Sequence, residues 1–319
     1  MNIALITDEN YIIPTGTAIA SVLNANPDEE IDFYIITACL PEAAAALLES
    51  FIAPHKKRAS VKIITLAKDA IADFPVREGD HVSLTAYYRI FLPLLLPESV
   101  DRILYLDGDI LCTGNLVDFY HTPLTDFSCS VVRDEQNDAV HHFVRLSYSQ
   151  KDGYFNSGVM LINLDWWRAH GVQQKCLDYI ASNPDACLWH DQDALNHVLH
   201  GTVLWTDFRY NFMQGFYFDK NDMCIDSSYY SQIDAARENP CILHFSSAYK
   251  PWHKECNHPL KKHYRAFYKQ YTGKKLPLTH KLKGKALLKW RIKKVLHRLH
   301  IKQYADFRRP LLLYSFMLY

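Results

Sequence analysis

Short apolar runs that end in polar residues alternate, over the first third of the chain, with stretches of helical spacing. Ile3 to Thr7, Ile31 to Thr37, Val61 to Leu66 and Arg102 to Leu106 read as four buried strands. Between them, Thr15 to Asn24 carries small and apolar residues on one face. Pro41 opens a second helix through Phe51, proline being tolerated in a first turn and alanine favouring the interior. Thr85 to Leu96 reads as a helix interrupted at Pro93. Farther on, Ser157 to Asn163 is a strand entered from Tyr154-Phe155-Asn156. Gln192 to Leu199 is a helix with Asp191 near its start, and Cys241 to Phe245 is a short strand delivering His244. Strands alternating with helices predict an α/β fold with a mainly parallel sheet covered on both faces. Ligands bind such sheets beyond the carboxyl ends of the strands. Asp8 and Asp107 both follow predicted strands there and point to one edge.

With 49% hydrophobic and 22% charged residues, the composition is that of a globular protein and excludes disordered or collagen-like chains. The eight cysteines form no C-x-x-C pair, which fits reduced thiols better than a disulfide framework or a zinc site. The first residues lack the basic start of a signal peptide, and no apolar stretch reaches the roughly 18 residues of a spanning helix. The net charge of zero hides a segregation: eleven Lys or Arg against one acidic residue lie between Lys281 and Tyr319, so this end carries +10 and the remainder −10. Leu288, Ile292, Val295, Leu296 and Leu299 form one helical stripe beside these cations. The pattern suits the surface of an anionic membrane. A helix docked on the acidic body is the alternative, and nucleic acid is disfavoured because no recognition motif accompanies the basic run. We expect one catalytic domain over residues 1–275 and a basic amphipathic membrane-association tail over 276–319.

The candidate chemistry begins with Asp107-Gly108-Asp109, two carboxylates one residue apart after a strand. Such oxygens suit a hard divalent cation, to which a diphosphate would add its own. Gly108 lets backbone or ligand approach closely. A solvated acidic turn is the plain alternative. His244 lies in an apolar strand context, where a lone histidine is commonly a core residue. The turn Ser246-Ser247-Ala248-Tyr249-Lys250 after it suits a loop around phosphate, with Lys250 as a point charge. A mixed Asp, Asp, His set accepts manganese. Arg89, within an apolar helix, needs an anionic partner, which Asp8 or a bound donor would supply.

One ordered set of segments is similar to the family 8 glycosyltransferases, which include bacterial lipopolysaccharide and lipooligosaccharide galactosyl- and glucosyltransferases. The set is Thr7 to Tyr11, His81 through Arg89, Tyr105 to Asp109, Tyr154 to Val159, Asp191-Gln192-Asp193, Asn211-Phe212-Met213 and His244 through His253. It runs from residue 1 to about 260. The resemblance implies a GT-A fold, a UDP-galactose or UDP-glucose donor, manganese or magnesium, and retention of anomeric configuration. It implies Asp107, Asp109 and His244 on the metal, and Asp8 and Asn10 at the uracil, whose N3–H a carboxylate can accept. Tyr11 would cover the nucleotide or pack in its loop. Arg89 and Asp134 would hold the donor sugar, Asn156 and Asp191 its hydroxyls, and Lys250 with Ser247 the diphosphate. Ser246 and Ser247 stand where the galactosyltransferases tend to have Cys and Gly, which leaves the acceptor open.

Gln192 would lie below the anomeric carbon. Its amide oxygen is a weak nucleophile, so front-face attack is favoured, with Asp193 as the nucleophile of a covalent route. Asp191-Gln192-Asp193 also suits a plain helix start. A lipid-linked glycan acceptor on the cytoplasmic face of the inner membrane would fit the tail. Two other readings remain open: a metal-dependent phosphohydrolase or nucleotidyltransferase using the same carboxylates, and a nucleotide-sugar binding module without turnover.

Overall fold

The computed structural model describes residues 1–66, 84–217 and 223–302. His81 and the chain beyond Lys302 lie outside the described residues. Contacts divide the chain into two compact units, Met1–Phe212 with Cys224–His244, and Met213–Met223 with Phe245–Tyr319.

The first unit is built on a seven-stranded sheet: β1 (Asn2–Ile6), β2 (Ile31–Thr37), β3 (Ala59–Thr65), β4 (Arg102–Leu106), then, after a short strand β5 (Ile110–Cys112) outside it, β6 (Cys129–Arg133), β7 (Phe155–Asn163) and β8 (Val203–Trp205). The spatial order is β3-β2-β1-β4-β7-β6-β8. β1 to β4 pair in parallel, as do β6 and β8, and β7 pairs antiparallel with both β4 and β6. The sheet is therefore mixed and mainly parallel, as expected. The strand order reverses between β1 and β4, which opens a crevice at their carboxyl ends.

Alternation along each strand feeds a core on both faces. Ile3 and Leu5 of β1 pack with Leu104 and Leu106 of β4 and with Ala18, Ile19 and Val22 of the helix Ile12–Ala25. Ala4, Ile103 and Tyr105 face the opposite cluster, around Trp167 and Tyr87. Burial on two faces explains why these strands read as continuous apolar runs. β3 lies at the sheet edge and is half exposed.

The segment 84–95 corrects the expectation of one helix broken at Pro93. It is a 3-10 helix, Leu84–Phe91, followed by the single α-turn Leu92–Leu95, with Pro93 in the first turn where its missing N–H costs nothing. All eight cysteines are free.

In the second unit, the helix Gly284–Arg298 leaves Leu288, Ile292, Val295 and Leu299 between 52% and 63% exposed. Among the described residues, these four side chains of the stripe stand open. The chain just before this helix is pinned by Glu255, whose carboxylate accepts from His280 Nδ1 (2.7 Å) and the Lys281 N–H (3.1 Å). Among the described residues, no helix is long and apolar enough to cross a membrane.

Candidate active site

Parallel strands end at one edge, and their first residues beyond the sheet are polar. Asp8 follows β1, Asp107 follows β4 and Asp134 follows β6. Because β7 runs the other way, its start lies at this same edge: Leu106 is in register with Val159, and the Asp107 N–H donates to the Gly158 carbonyl at 2.8 Å. Asn156, Ser157 and Gly158 are thereby laid beside Asp107. The strand Ile242–His244 pairs antiparallel with β5, with His244 opposite Ile110, the residue after Asp109. Two distant segments thus bring the imidazole to the carboxylates.

The ligand atoms of Asp107, Asp109 and His244 lie within 4.8 Å of one another. His244 Nε2 is 3.3 Å from Asp109 Oδ1 and 3.8 Å from Asp107 Oδ2. Asp109 and His244 are buried, and Asp107 is partly open. Two hard oxygens and one imidazole nitrogen fit a divalent cation such as manganese or magnesium. The cradle is tight: a Cβ on Gly158 would stand 2.4 Å from His244 Cε1 and 2.7 Å from Asp107 Oδ2. Gly108 is required for a neighbouring reason. A Cβ there would meet Thr15 Oγ1 at 2.9 Å and Tyr11 Cδ1 at 3.1 Å, so the close approach it permits is that of the protein's own first helix.

Arg89 does not pair with Asp8. Its guanidinium meets Asp107 (3.1 Å) and Asp191 (2.9 Å), donates to the Ser157 carbonyl and hydroxyl, and stacks over the Tyr105 ring at 4.4 Å. Burial opposes its charge, but Asp107 and Asp191 outweigh burial and hold its pKa above the ordinary value. This buried arginine bridges the two carboxylates. Tyr105, two residues before Asp107 and on the same face, donates to Asp107 Oδ1 at 2.6 Å. Burial pushes the Asp191 carboxyl up to about 6, with Arg89 opposing and Asp107 adding to the rise.

Gln192 is fixed at both ends of its amide. Oε1 accepts from the Ser157 N–H at 3.0 Å, and Nε2 donates to the Tyr154 hydroxyl at 3.1 Å and to Asp134 Oδ2 at 3.4 Å. Asn156 Nδ2 donates to Asp134 Oδ2 (3.2 Å) and Gln192 Oε1 (3.3 Å). Burial raises the pKa of Asp134, against the Gln136 N–H and these two amides. Asp193 sits in the first turn of the helix Asp191–Leu199. It is fully buried, and its oxygens accept from Arg145 (2.6 and 3.0 Å), the Tyr154 hydroxyl (2.8 Å) and the Trp189 N–H (2.6 Å). A carboxylate so enclosed holds the helix start. The residue before this helix, His190, has φ of 53° and ψ of −124°, a strained backbone beside the site.

Asp8 Oδ1 accepts from the N–H groups of Asn10 (2.8 Å) and Tyr11 (3.0 Å), forming the turn into the first helix. Asn10 is exposed and Tyr11 half-buried. In the second unit, Ser247 Oγ donates to Gln214 Oε1 at 2.6 Å, and Lys250 Nζ donates to the Phe245 carbonyl at 2.8 Å. Sequence reasoning missed the roles of Arg145, Tyr154 and Asn211. Asn211 is buried against His244, and the ordered set of segments marked it without a role.

The sheet with its reversed strand and the carboxylate–imidazole edge define a GT-A glycosyltransferase fold. The chain belongs to glycosyl transferase family 8, whose family model matches residues 2–256. It is 28% identical to the lipopolysaccharide 1,2-glucosyltransferase of Escherichia coli strain K12, covering 83% of this chain and 76% of that protein. It is 25% identical to the lipopolysaccharide 1,3-galactosyltransferase of Salmonella typhimurium, covering 82% and 76%. Among solved structures, galactosyltransferase LgtC with donor and acceptor sugar analogues superposes with a TM-score of 0.76 at 26% identity, covering 91% of this chain and 99% of that one. The protein is a glycosyltransferase.

Proposed function

We propose that this enzyme is a retaining, metal-dependent hexosyltransferase that moves glucose or galactose from a UDP-sugar to a lipopolysaccharide, lipooligosaccharide or other glycan acceptor. The observation that carries the reading is the convergence of Asp107, Asp109 and His244 at the sheet edge, with Gln192 anchored on Ser157, next to Gly158. Relatives named for both glucosyl and galactosyl transfer to lipopolysaccharide support the acceptor class and leave both sugars in play.

In this reading Asp107, Asp109 and His244 would hold a divalent cation, manganese by preference, which would supply positive charge against the departing UDP. Lys250 adds a second positive charge. Ser247 shares that loop. Asp8 accepts the uracil N3–H, with Asn10 and Tyr11 flanking the nucleotide. Asp134, Asn156 and Asp191 receive the sugar hydroxyls, while Arg89 keeps Asp107 and Asp191 in place. The Gln192 carbonyl dipole stabilises positive charge at the anomeric carbon. The acceptor hydroxyl attacks from the face that UDP leaves and passes its proton to the departing phosphate oxygen. The enclosure of Asp193 supports this front-face route over a covalent one. The open side chains of the apolar stripe and its cations rest on an anionic membrane, the cytoplasmic face of the inner membrane in this reading, near a lipid-linked acceptor.

The test is a panel of UDP-hexoses with manganese, scoring UDP release with and without lactose-type acceptors. Release should need metal and rise with acceptor. Acceptor-independent hydrolysis would instead identify a phosphohydrolase, and binding without turnover a binding module. Deleting the chain after Lys281 keeps the Glu255 clasp; it should spare turnover on a soluble disaccharide while releasing the protein from anionic vesicles. Undiminished vesicle binding would refute the membrane role.

A further inference from the structure

We propose that Asn211 is a positioning residue that sets the tautomer of His244, so that the imidazole presents its Nε2 lone pair to the cation. The inference rests on the metal-site reading above and adds a residue to it. The argument starts from a donor whose polarity cannot be reversed. The backbone N–H of Gly158 donates to Asn156 Oδ1 at 3.0 Å. The Asn156 atom is therefore the carbonyl oxygen, and the Asn211 group that faces it at 2.9 Å must be the amino group. The other end of that amide, Asn211 Oδ1, then faces His244 Nδ1 at 2.9 Å. An amide oxygen can only accept, so Nδ1 carries the ring proton. A neutral imidazole so protonated has its lone pair on Nε2, the atom turned to Asp109 and Asp107.

The arrangement works against a competing state. Asp109 Oδ1 is close enough to Nε2 to accept a proton from it, and the opposite tautomer would form that bond and block a cation. Asn211 favours the other tautomer from the far side of the ring. Asn211 is fully buried and Asn156 and His244 nearly so, which leaves little room for water to replace either bond. Through Asn156, the same relay reaches Gln192 Oε1 at 3.3 Å and Asp134 Oδ2 at 3.2 Å. The orientation of the metal ligand is thus tied to the amide proposed to face the donor sugar.

The experiment uses the full chain and manganese alone as probe, with metal-free protein carrying 15N-histidine for NMR. Where its ring carries a single proton, native His244 should show it on Nδ1, with Nε2 unprotonated. Asn211→Leu should mix the two tautomers and weaken manganese binding about 10- to 100-fold, the usual range for a lost partner behind a metal-bound histidine. Asn211→Asp keeps an acceptor for Nδ1–H while losing the bond to Asn156, and should bind manganese more tightly than Asn211→Leu. Where Leu prevents folding, Asn211→Ala replaces it. Native affinity in the truncated variant, equal losses in the Leu and Asp variants, or a native ring whose single proton sits on Nε2 would each overturn the proposal. If the native protein itself binds no manganese, the metal-site reading falls, and the inference with it.

Discussion

Replacing Gly158 by alanine puts a methyl carbon where no atom fits. The new Cβ would lie 2.4 Å from His244 Cε1, 2.7 Å from Asp107 Oδ2 and 3.0 Å from Asn156 Oδ1. Carbon atoms settle at about 3.5–4.0 Å, so the imidazole must retreat by about 1 Å. Forcing a methyl into a filled site costs about 1–3 kcal/mol. The stiffer unfolded chain returns about 0.4–1 kcal/mol, because Gly158 is not among the residues with a left-handed backbone. The net loss of about 0–2.6 kcal/mol should leave the protein folded. Metal binding suffers more, since ligand distances tolerate only about 0.2 Å. Nε2 would leave its place 3.3 Å from Asp109, and Nδ1 its bond to Asn211. Manganese affinity should fall at least about 100-fold, the upper end of what a merely supporting contact is worth. Titration followed by the EPR signal of free manganese, beside a thermal melt, measures both. A folded Gly158→Ala protein that binds manganese as the native one does would refute the placement of His244 and Asp107 on one cation.

Arg89→Met removes the cation between Asp107 and Asp191 and should destabilise by about 3–5 kcal/mol in denaturant titrations, the range for breaking a buried pair; a loss under 1 kcal/mol would show that the carboxylates do not depend on it. Asp191, pushed up by burial to about 6, binds its proton more tightly in the folded state than at the ordinary 3.8. Its contribution is complete below about pH 4 and lost as pH rises through about 6, a change of about 3 kcal/mol. The stability of metal-free Asp191→Asn should lack this decline, and a slope equal to that of the native protein from pH 4 to 7 would contradict the burial argument. Tyr154→Phe deletes the hydroxyl between Gln192 Nε2 and Asp193 Oδ1, and should lower kcat about 10-fold with KM for the donor little changed, as a misplaced group costs about 1.4 kcal/mol. A purely raised KM would place Tyr154 in donor binding instead.

Much of the site's content is local and could be read from the chain. Short apolar runs mark Ile3 to Ile6 and Arg102 to Leu106 as buried strands, and the carboxylates just beyond them, Asp8 and Asp107, follow at the sheet edge. Periodicity likewise marked the apolar stripe from Leu288 to Leu299. The spacing of Asp107 and Asp109 puts two carboxylates within reach of one point whatever the rest of the chain does. Arg89 could be seen to need an anion, because a charge in an apolar stretch must be compensated. Which anion it found could not be seen from the sequence.

Partnership belongs to the tertiary structure. The reversal of β7 lays Ser157 and Gly158 beside Asp107, and the pairing of Ile242–His244 with Ile110–Cys112 carries His244 to Asp109. Neither pairing leaves a mark in local periodicity, because the same apolar alternation serves a parallel or an antiparallel neighbour. The fates of Asp191 and Asp193 diverge for the same reason: one meets Arg89 and the other Arg145, on different segments. Composition and alternation determine which side chains must be buried and which edge is polar. Only the packed chain decides which buried polar groups satisfy one another, since each desolvated donor or acceptor takes the partner that long-range folding brings to it.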